Sequence, residues 1–269
     1  MKKLLTGIFF AVLVLALAAC GGKDKDDKTI VVGASNVPHA LILEQAKPLL
    51  KEKGYDLKIE EYQDFVLPNK DLDVGTLDAN YFQHIPYLEG QIEDFEYDFV
   101  NAGAIHIEPI GIYSKKYKSL DELPDGATVL ISNSVADHGR VLAMLEKEGL
   151  ITLADGVEKV KAELDDIVDN PKNLTFEAEY EPALMPELYK QDEGDLLLIN
   201  SNYALDAGLK PLEDAIVLEE TDSPYVNVIA VRTEDENNEA IKALVAVLKS
   251  DEIQQFILKE WEGSVVPVK

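Results

Sequence analysis

The stretch TIVVGASNVPHALILEQAKPLLKEKG, residues 29–54, carries the pattern that decides the fold. It begins with a short β-branched run that ends at Gly33, and such a run is typical of a buried strand. A helical pattern follows, in which Ser35 or Asn36 can cap the start of the helix and Gly54 can end it. These residues therefore predict one strand followed by one helix, which is the repeating unit of α/β proteins.

The same alternation continues along the rest of the chain. Residues 55–62, YDLKIEEY, alternate between apolar and polar as a half-buried strand does. Further strand-like runs are separated by stretches with a helical pattern. They are ATVLIS (127–132), NLTFEAE (173–179), DLLLIN (195–200), AIVLE (215–219) and VNVIAVR (226–232). The sequence therefore predicts an α/β fold with mainly parallel sheets.

Two segments interrupt the alternation and predict that the chain crosses between two lobes. In residues 108–126 a strand-like run gives way to lysines and then to a Pro-Asp-Gly turn. In residues 220–227 a Ser-Pro pair breaks a strand pattern. We therefore expect lobe 1 to contain residues 29–112 and 227–269, and lobe 2 to contain residues 113–226. A ligand site is expected in the cleft between the lobes, at the carboxyl ends of the strands.

The first residues of the chain, MKKLLTGIFFAVLVLALAAC, predict where the protein is located. Two lysines precede an apolar run that is shorter than the ~20 residues needed to span a bilayer, and the run ends in small residues, as signal peptides do. Cys20 is the only cysteine, so it has no internal disulfide partner. The LAAC sequence resembles the lipobox of bacterial lipoproteins. This resemblance implies a signal peptide over residues 1–19, a Cys20 that is lipidated by palmitate, and a flexible tether over residues 20–28. The protein would be anchored at the extracytoplasmic face of the bacterial cell membrane.

Composition and motifs argue against several functional classes. The net charge of −26, from 51 acidic and 25 basic residues, argues against nucleic acid as a partner, because phosphate backbones are bound by basic surfaces. The sequence contains no phosphate-binding glycine loop, no nucleophile elbow and no HExxH motif. The acidic residues are too numerous for any acid/base pair to stand out. We therefore expect a protein that is not an enzyme and has no cofactor.

The histidines leave a metal site open as an alternative. The four histidines are His39, His84, His106 and His138, and no two of them have the i, i+2 or i, i+4 spacing of a local ligand pair. They could still converge in the folded protein. A surface lipoprotein that captures a metal ion is therefore the rival interpretation, although we expect no metal site.

Arginine and asparagine residues are the candidates for binding the polar groups of a ligand. Arg140 follows a glycine where we expect a loop to enter a helix, and a guanidinium can bind a carboxylate with two parallel hydrogen bonds. The alternative for Arg140 is a surface salt bridge, which is also the expectation for Arg232. Asn200 ends one predicted strand and Asn227 begins another. Either amide could accept hydrogen bonds from an ammonium group, and the alternative is a turn or a helix cap.

Aromatic residues cluster in LDANYFQHIPYLEG, residues 77–90. The pattern predicts a strand that ends near His84 and a helix that begins before Tyr87, so that Phe82, His84 and Tyr87 lie at the mouth of a lobe. Rings in that position could bind an apolar, polarizable group, since sulfur–aromatic contacts are worth about 0.3–1.5 kcal/mol. The alternative is an ordinary core cluster.

Four segments together resemble a known family. They are EEYQDFVLPNKDLDVGTLDANYFQHIPYLE, IEPIGIYSKKYKSLDELPDGATV, INSNYALDAGL and SPYVNVIAVR. The chain is similar in these segments to the methionine-binding lipoproteins (NlpA/MetQ family), the substrate-binding components of methionine ABC importers. The resemblance implies a two-lobed periplasmic-binding-protein fold of type II and, as partners, methionine and the permease and ATPase subunits of the importer.

The resemblance also implies a role for each candidate site residue. Arg140 would bind the α-carboxylate, and Asn200 and Asn227 would orient the α-amino and carboxylate groups. The thioether would lie among Phe65, Phe82, His84 and Tyr87.

The chain departs from the family pattern in loops near the expected cleft. Where the family usually has Asn-Asp-Pro-Thr-Asn, this chain has SNSVADHGR, with Val135 and Ala136 in place of Pro-Thr and with His138 added. Glu187 stands where the relatives commonly have arginine. Another apolar amino acid or a methionine-containing dipeptide therefore stays open as the ligand.

Overall fold

A computed structural model describes residues 28–268 of the chain. The predicted signal peptide, the predicted lipidation site Cys20 and all but the last residue of the predicted tether lie outside the described residues. Within the described part, no helix has both the length and the apolar character needed to cross a membrane.

Strands and helices alternate along the described chain. The strands are β1 Thr29–Ser35, β2 Asp56–Tyr62, β3 Ala79–His84, β4 Phe99–Ile107, β5 Gly111–Tyr113, β6 Thr128–Ser132, β7 Thr152–Leu153, β8 Ile167–Asp169, β9 Thr175–Tyr180, β10 Leu196–Ile199, β11 Val217–Leu218, β12 Val226–Arg232 and β13 Val266–Pro267. The α-helices are α1 Leu41–Glu52, α2 Leu67–Asp73, α3 Ile85–Phe95, α4 Val135–Lys147, α5 Met185–Lys190, α6 Ser201–Asp206, α7 Pro211–Asp214, α8 Glu239–Leu248 and α9 Asp251–Trp261. The α/β class expected from the sequence is confirmed.

The strands form two larger sheets. The order in the first sheet is β13-β4-β12-β3-β1-β2, and the order in the second sheet is β11-β5-β10-β6-β9. Strand β1 is parallel to β2 and β3, but β12 is antiparallel to both β3 and β4. The expectation of mainly parallel sheets is therefore wrong, and both sheets are mixed. One reason is that β12 enters the first sheet directly after the second crossing, with no helix between it and β11, and a strand that needs no crossover helix can pair in the antiparallel direction.

The chain passes between the sheets in two short segments. Strand β4 of the first sheet ends at Ile107, and β5 of the second sheet begins at Gly111. The return runs from the end of β11 at Leu218 to the start of β12 at Val226. The first passage lies within the predicted segment 108–126, and the second overlaps the predicted segment 220–227. The residue boundaries given above for the two lobes stay a prediction.

Each sheet has its own hydrophobic core. In the first, Val32 of β1 packs with Ile42 of α1, Leu244 of α8 and Ile257 of α9, all of which are buried. In the second, strands β6 and β10 pack against α4, which contributes the buried Leu142. Since each fully buried aliphatic side chain contributes about 1.5–3 kcal/mol, these cores stabilise each sheet together with the helices that pack on it.

Candidate functional site

A cavity, whose volume of about 390 Å³ includes space open to solvent, lies at the carboxyl ends of strands from both sheets. The residues that line it are Phe65, Phe82, Gln83, His84, Tyr87, Glu108, Asp137, Arg140, Asn200, Ser201, Asn202 and Asn227. All seven ligand-binding residues predicted from the sequence are among them, so the fold brings the whole predicted set together. Their contact with a ligand stays a prediction.

Three rings form an apolar wall of the cavity. Phe82 lies in β3, Tyr87 lies in the first turn of α3, and Phe65 precedes α2. Each pair of these ring centroids is 6.0 Å apart. The Tyr87 hydroxyl donates to the carbonyl oxygen of Phe65 at 2.8 Å, and the ring of Tyr203 packs 4.9 Å from that of Phe65. The wall is thus fixed by packing and by a hydrogen bond, and Tyr203, which the sequence did not single out, supports it by packing against Phe65.

His84 joins this wall to the polar side of the cavity. Its Nδ1 accepts a hydrogen bond from the Tyr87 backbone N–H at 3.1 Å and so caps the start of α3. Because Nδ1 is the acceptor, the ring proton lies on Nε2, which donates to Asp137 Oδ1 at 3.1 Å. The expectation that His84 belongs to the apolar wall therefore describes only part of its surroundings.

Helix α4 carries Asp137 and Arg140 into the cavity. The helix begins at Val135, so Arg140 lies in its second turn and not where a loop enters the helix, as we expected from Gly139. Gly139 has a packing role, since a Cβ there would lie 2.4 Å from the carbonyl oxygen of Lys159. Only glycine lets the helix pack this closely against residues 159–160. This close contact holds helix α4, which carries Asp137 and Arg140, against residues 159–160.

Arg140 is buried and forms several hydrogen bonds. Its Nε donates to Glu219 Oε2 at 3.1 Å, and Nη2 donates to the same oxygen and to the carbonyl oxygen of Glu108 at 2.9 Å. Nη1 lies 3.4 Å from Asp137 Oδ1, and the guanidinium carbon is 4.5 Å from the centre of the Tyr225 ring. With an exposed fraction of 5%, Arg140 is not in a surface salt bridge. A guanidinium has five donors, so one N–H of Nη1 has no acceptor among residues 28–268.

The pKa of Asp137 is well below its usual range. Burial alone would raise it, but the N–H groups of His84, the Arg140 guanidinium and the Asn200 amide stabilise the carboxylate and lower the pKa. Asp137 therefore keeps its negative charge inside the cavity at neutral pH.

The two predicted asparagines have different partners. Asn200 occupies the position before α6, but its side chain does not cap that helix; its Nδ2 donates to Asp137 Oδ2 at 3.2 Å. The Oδ1 of Asn200 is buried and has no donor among residues 28–268. The Oδ1 of Asn227 lies 3.0 Å from His39 Nε2. Neither side chain serves as a helix cap, and both lie on the cavity surface.

A buried cluster of Glu108, His39, His106 and Tyr81 lies beneath the cavity. Glu108 Oε1 is 2.7 Å from His106 Nε2 and 3.1 Å from His39 Nε2, and Tyr81 Oη contacts His106 Nδ1. Burial lowers the pKa of His39 to about 4 and that of His106 to about 3. Both rings are therefore neutral at neutral pH, and each can donate its Nε2–H to Glu108.

Three residues of this cluster could bind a metal ion. Ligand atoms of His39, His106 and Glu108 lie within 4.8 Å of one another, and two imidazoles with one carboxylate are a donor set that zinc accepts. The fold does not bring the other two histidines to this place. His84 contacts Asp137, and His138 Nε2 contacts the carbonyl oxygen of Ser132 at 2.9 Å.

The sequence did not single out two carboxylates that line the cavity, Glu108 and Asp137, or a third, Glu219, that pairs with Arg140. Glu108, Asp137 and Glu219 belong to a set of 51 acidic residues, and no local motif distinguishes them. Each acquires its role through contacts with residues distant in the chain, such as the pairing of Glu219 with Arg140.

Comparisons with known proteins agree with this architecture. A family model described as NlpA lipoprotein matches residues 30–269. The methionine-binding lipoprotein MetQ of Bacillus subtilis (strain 168) is 52% identical over 100% of this chain and 99% of the relative. The D-methionine-binding lipoprotein MetQ of Escherichia coli (strain K12) is 41% identical over 94% of this chain and 93% of the relative.

A solved structure shows the same likeness. The nutrient binding protein from Burkholderia cenocepacia bound to methionine superposes with a TM-score of 0.85 at 41% identity, covering 89% of this chain and 100% of that chain. The two-lobed α/β fold predicted from the sequence is thereby confirmed.

Proposed function

The chain belongs to the NlpA lipoprotein family, as its motifs predicted, and we propose that it is the substrate-binding lipoprotein of an ABC importer that captures methionine. The observation that carries the proposal is a cavity with an aromatic wall and a buried arginine among the residues that line it. The names of the relatives, which include methionine-binding lipoproteins and an ABC transporter periplasmic substrate-binding protein, support it.

The methionine would lie with its thioether against Phe65, Phe82 and Tyr87. Its carboxylate would accept from the free N–H of Arg140, and the amides of Asn200 and Asn227 would orient its polar groups. Because these residues belong to elements associated with both sheets, the ligand would bridge the two lobes. Binding would then shift the population toward the closed form, in which these contacts are complete.

We further propose that Cys20 carries the lipid anchor and that the protein delivers its ligand at the extracytoplasmic membrane face. The permease and the ATPase subunits of the importer would be its partners. The lipoprotein names of the relatives support this location. A role in binding and delivery, without catalysis, agrees with the family and stays a prediction for this chain.

Two alternatives differ from methionine capture. A different apolar amino acid or a methionine-containing dipeptide would use the same cavity. A metal-capturing function is favoured by one observation, the His39, His106 and Glu108 cluster. Burial of all three side chains and their mutual hydrogen bonds agree better with an internal polar network than with a site for capture.

Calorimetric titration of the full chain, unfolded and refolded to remove bound ligand, tests the proposal. We expect heat of binding with methionine, in the L form, the D form or both, and weaker or no heat with the other amino acids of a panel. Metal analysis of the same preparation tests the rival, since stoichiometric zinc would favour metal capture. Heat with another amino acid and none with methionine would show that methionine is not the ligand, without affecting the conclusion about the two-lobed fold.

The aromatic wall gives a second prediction. Phe82→Ala is expected to weaken methionine binding roughly 10- to 100-fold, because burying an apolar side chain against a ring of this size is worth about 1.5–3 kcal/mol. Phe82→Leu is the matched control, which keeps apolar volume but removes the ring, and we expect a loss of less than about tenfold. Thermal unfolding of both variants would separate lost folding from lost binding. If Phe82→Ala and the wild type bind methionine with equal affinity, Phe82 does not contribute to ligand binding.

A further inference from the structure

A carboxylate that does not line the cavity holds the guanidinium of Arg140. Glu219 lies in the second crossing, outside the set of residues that line the cavity, and its side chain is 9% exposed. Its Oε2 accepts from Arg140 Nε at 3.1 Å and from Nη2 of the same guanidinium. One carboxylate oxygen therefore binds both of the N–H groups that point along one edge of the arginine head group.

Glu219 is itself fixed by both crossings. Its Oε2 also accepts from the backbone N–H of Ile110 at 3.1 Å, and Ile110 lies in the first crossing, between β4 and β5. Its Oε1 accepts from Ser223 Oγ at 3.1 Å, within the second crossing. The backbone N–H of Glu219 donates in turn to the carbonyl oxygen of Ile110 at 2.9 Å. A carboxylate can accept about four hydrogen bonds, so these contacts use the capacity of Glu219 and hold it in place.

The other contacts of Arg140 also come from the crossings and leave one nitrogen toward the cavity. The guanidinium carbon lies 4.5 Å from the centre of the Tyr225 ring in the second crossing, and Nη2 donates to the carbonyl oxygen of Glu108 in the first. Nη1 is the nitrogen that retains an N–H without an acceptor among residues 28–268. An arginine side chain has many rotamers, and one that is already held in its binding orientation loses little further freedom when a ligand binds.

We propose that Glu219 is a positioning residue for recognition of the ligand carboxylate, because it holds the Arg140 guanidinium against both crossings with Nη1 toward the cavity. The proposal rests on the proposed function, in which Arg140 binds the carboxylate, and deepens it. Since Glu219 acts through Arg140, it affects only ligands that carry a carboxylate. It also joins the cation that binds the ligand to the two segments that connect the sheets.

Glu219 could have two other roles, and each affects ligands differently. If its negative charge alone matters, as compensation for the buried charge of Arg140, a variant without that charge changes carboxylate binding even when its hydrogen bonds are kept. If Glu219 only holds the two crossings together, its loss weakens ligands with and without a carboxylate alike. A positioning residue depends on the reach of its hydrogen bonds and acts on carboxylate ligands alone.

Calorimetric titration of the refolded full chain with methionine and methioninol separates these roles. Methioninol keeps the ammonium group and the thioether and has a hydroxymethyl group in place of the carboxylate. We expect the wild type to bind methionine at least 100-fold more tightly than methioninol. Glu219→Asp keeps the charge but draws the carboxylate back by one methylene group, so that it no longer reaches Arg140. We expect it to lower the affinity ratio of methionine to methioninol at least fivefold.

Glu219→Gln is the complementary variant, because it keeps the length and an oxygen that can accept from Arg140 but loses the charge. Its affinity ratio is expected to stay within threefold of the wild type or to rise, since the charge that it removes repels the ligand carboxylate. Glu220→Gln is the matched control. It removes a charge from the same crossing, but the side chain of Glu220 is 74% exposed and pairs with Lys147, so both affinities are expected to be unchanged.

Three outcomes would overturn the positioning role. They are a parallel loss of both ligands in Glu219→Asp, a ratio that this variant leaves unchanged, and a ratio in Glu219→Gln more than threefold below the wild type. The last result decides by itself if thermal unfolding shows that Glu219→Asp does not fold. Wild-type affinities for methionine and methioninol within threefold of each other would show that Arg140 does not bind the carboxylate, and this inference would fail while methionine stands as the ligand. If the wild type binds no amino acid, the proposed function itself fails.

Discussion

Arg140→Ala is expected to weaken methionine binding by at least a hundredfold. The buried guanidinium lines the cavity, and one of its N–H groups has no acceptor in the part of the chain that the structure describes. Removing one partner of a buried, charged hydrogen bond costs about 2–5 kcal/mol, much of which comes from leaving the other charge unpaired. Calorimetric titration of the refolded full chain measures the loss.

Arg140→Ala also removes the partner of Glu219 and of Asp137, so its effect on folding must be measured alongside binding. Arg140→Lys is the matched control, since it keeps the positive charge and loses the planar fork that can bind two oxygens at once. We expect it to fold close to the wild type and to bind methionine roughly tenfold more weakly. If both variants bind within threefold of the wild type, Arg140 is an internal ion pair and the carboxylate lies elsewhere.

The apolar wall of the site was predictable because its signal is local. Phe82 and Tyr87 are near neighbours in the sequence, and the pattern around them predicts a strand followed by a helix, which the structure has as β3 and α3. A strand end and the next helix start necessarily lie at the same edge of a sheet. Rings at those two positions therefore face the same cleft whatever the rest of the chain does.

The charged half of the site was not predictable to the same extent. Arg140 stood out because arginine is rare in this chain, but its partners did not. Glu219 reaches it from the second crossing, 79 residues away, and His84 reaches Asp137 across 53 residues. Such pairs depend on how the lobes meet, and in a chain with 51 acidic residues composition gives no means of selecting the right three.

The structural role of Arg232 was also only partly predictable from the sequence. The acidic residues after it predict a surface ion pair, and it does pair with Asp235. However, its Nη1 also donates to the carbonyl oxygens of Leu72 and Leu77, each at 2.7 Å, and its side chain is 16% exposed. The arginine therefore joins β12 to the end of α2 and the following turn, which no local pattern indicates.

The free energy of unfolding is expected to fall steeply as the pH is lowered from about 6.5 toward 4. Burial holds the pKa of His39 at about 4 and that of His106 at about 3, whereas an imidazole in the unfolded chain is protonated near 6.5. Between these values the unfolded chain binds more protons than the folded protein. Protonation therefore favours unfolding as the pH falls, by about 1.4 kcal/mol per pH unit for each histidine.

Glu108 opposes part of this effect. Its burial raises its pKa, so the folded protein takes up a proton on this carboxyl at a higher pH than the unfolded chain does. The net slope from the cluster is therefore expected to lie between one and two protons, roughly 1.4–2.7 kcal/mol per pH unit. Urea unfolding at pH 7, 6 and 5, followed by far-UV circular dichroism, measures it.

Two variants assign the slope to the cluster. His106→Asn retains a side chain that can donate to Glu108 but cannot take up a proton, so its slope is expected to be smaller by about 1.4 kcal/mol per pH unit. Glu108→Gln removes the opposing carboxyl, and its slope is expected to be steeper than that of the wild type. These opposite changes follow only if the two histidines are buried in the neutral form and the carboxylate is their acceptor. A slope that neither variant changes would mean that the acid sensitivity arises outside the cluster, and that His39, His106 and Glu108 are accessible to protons in the folded protein.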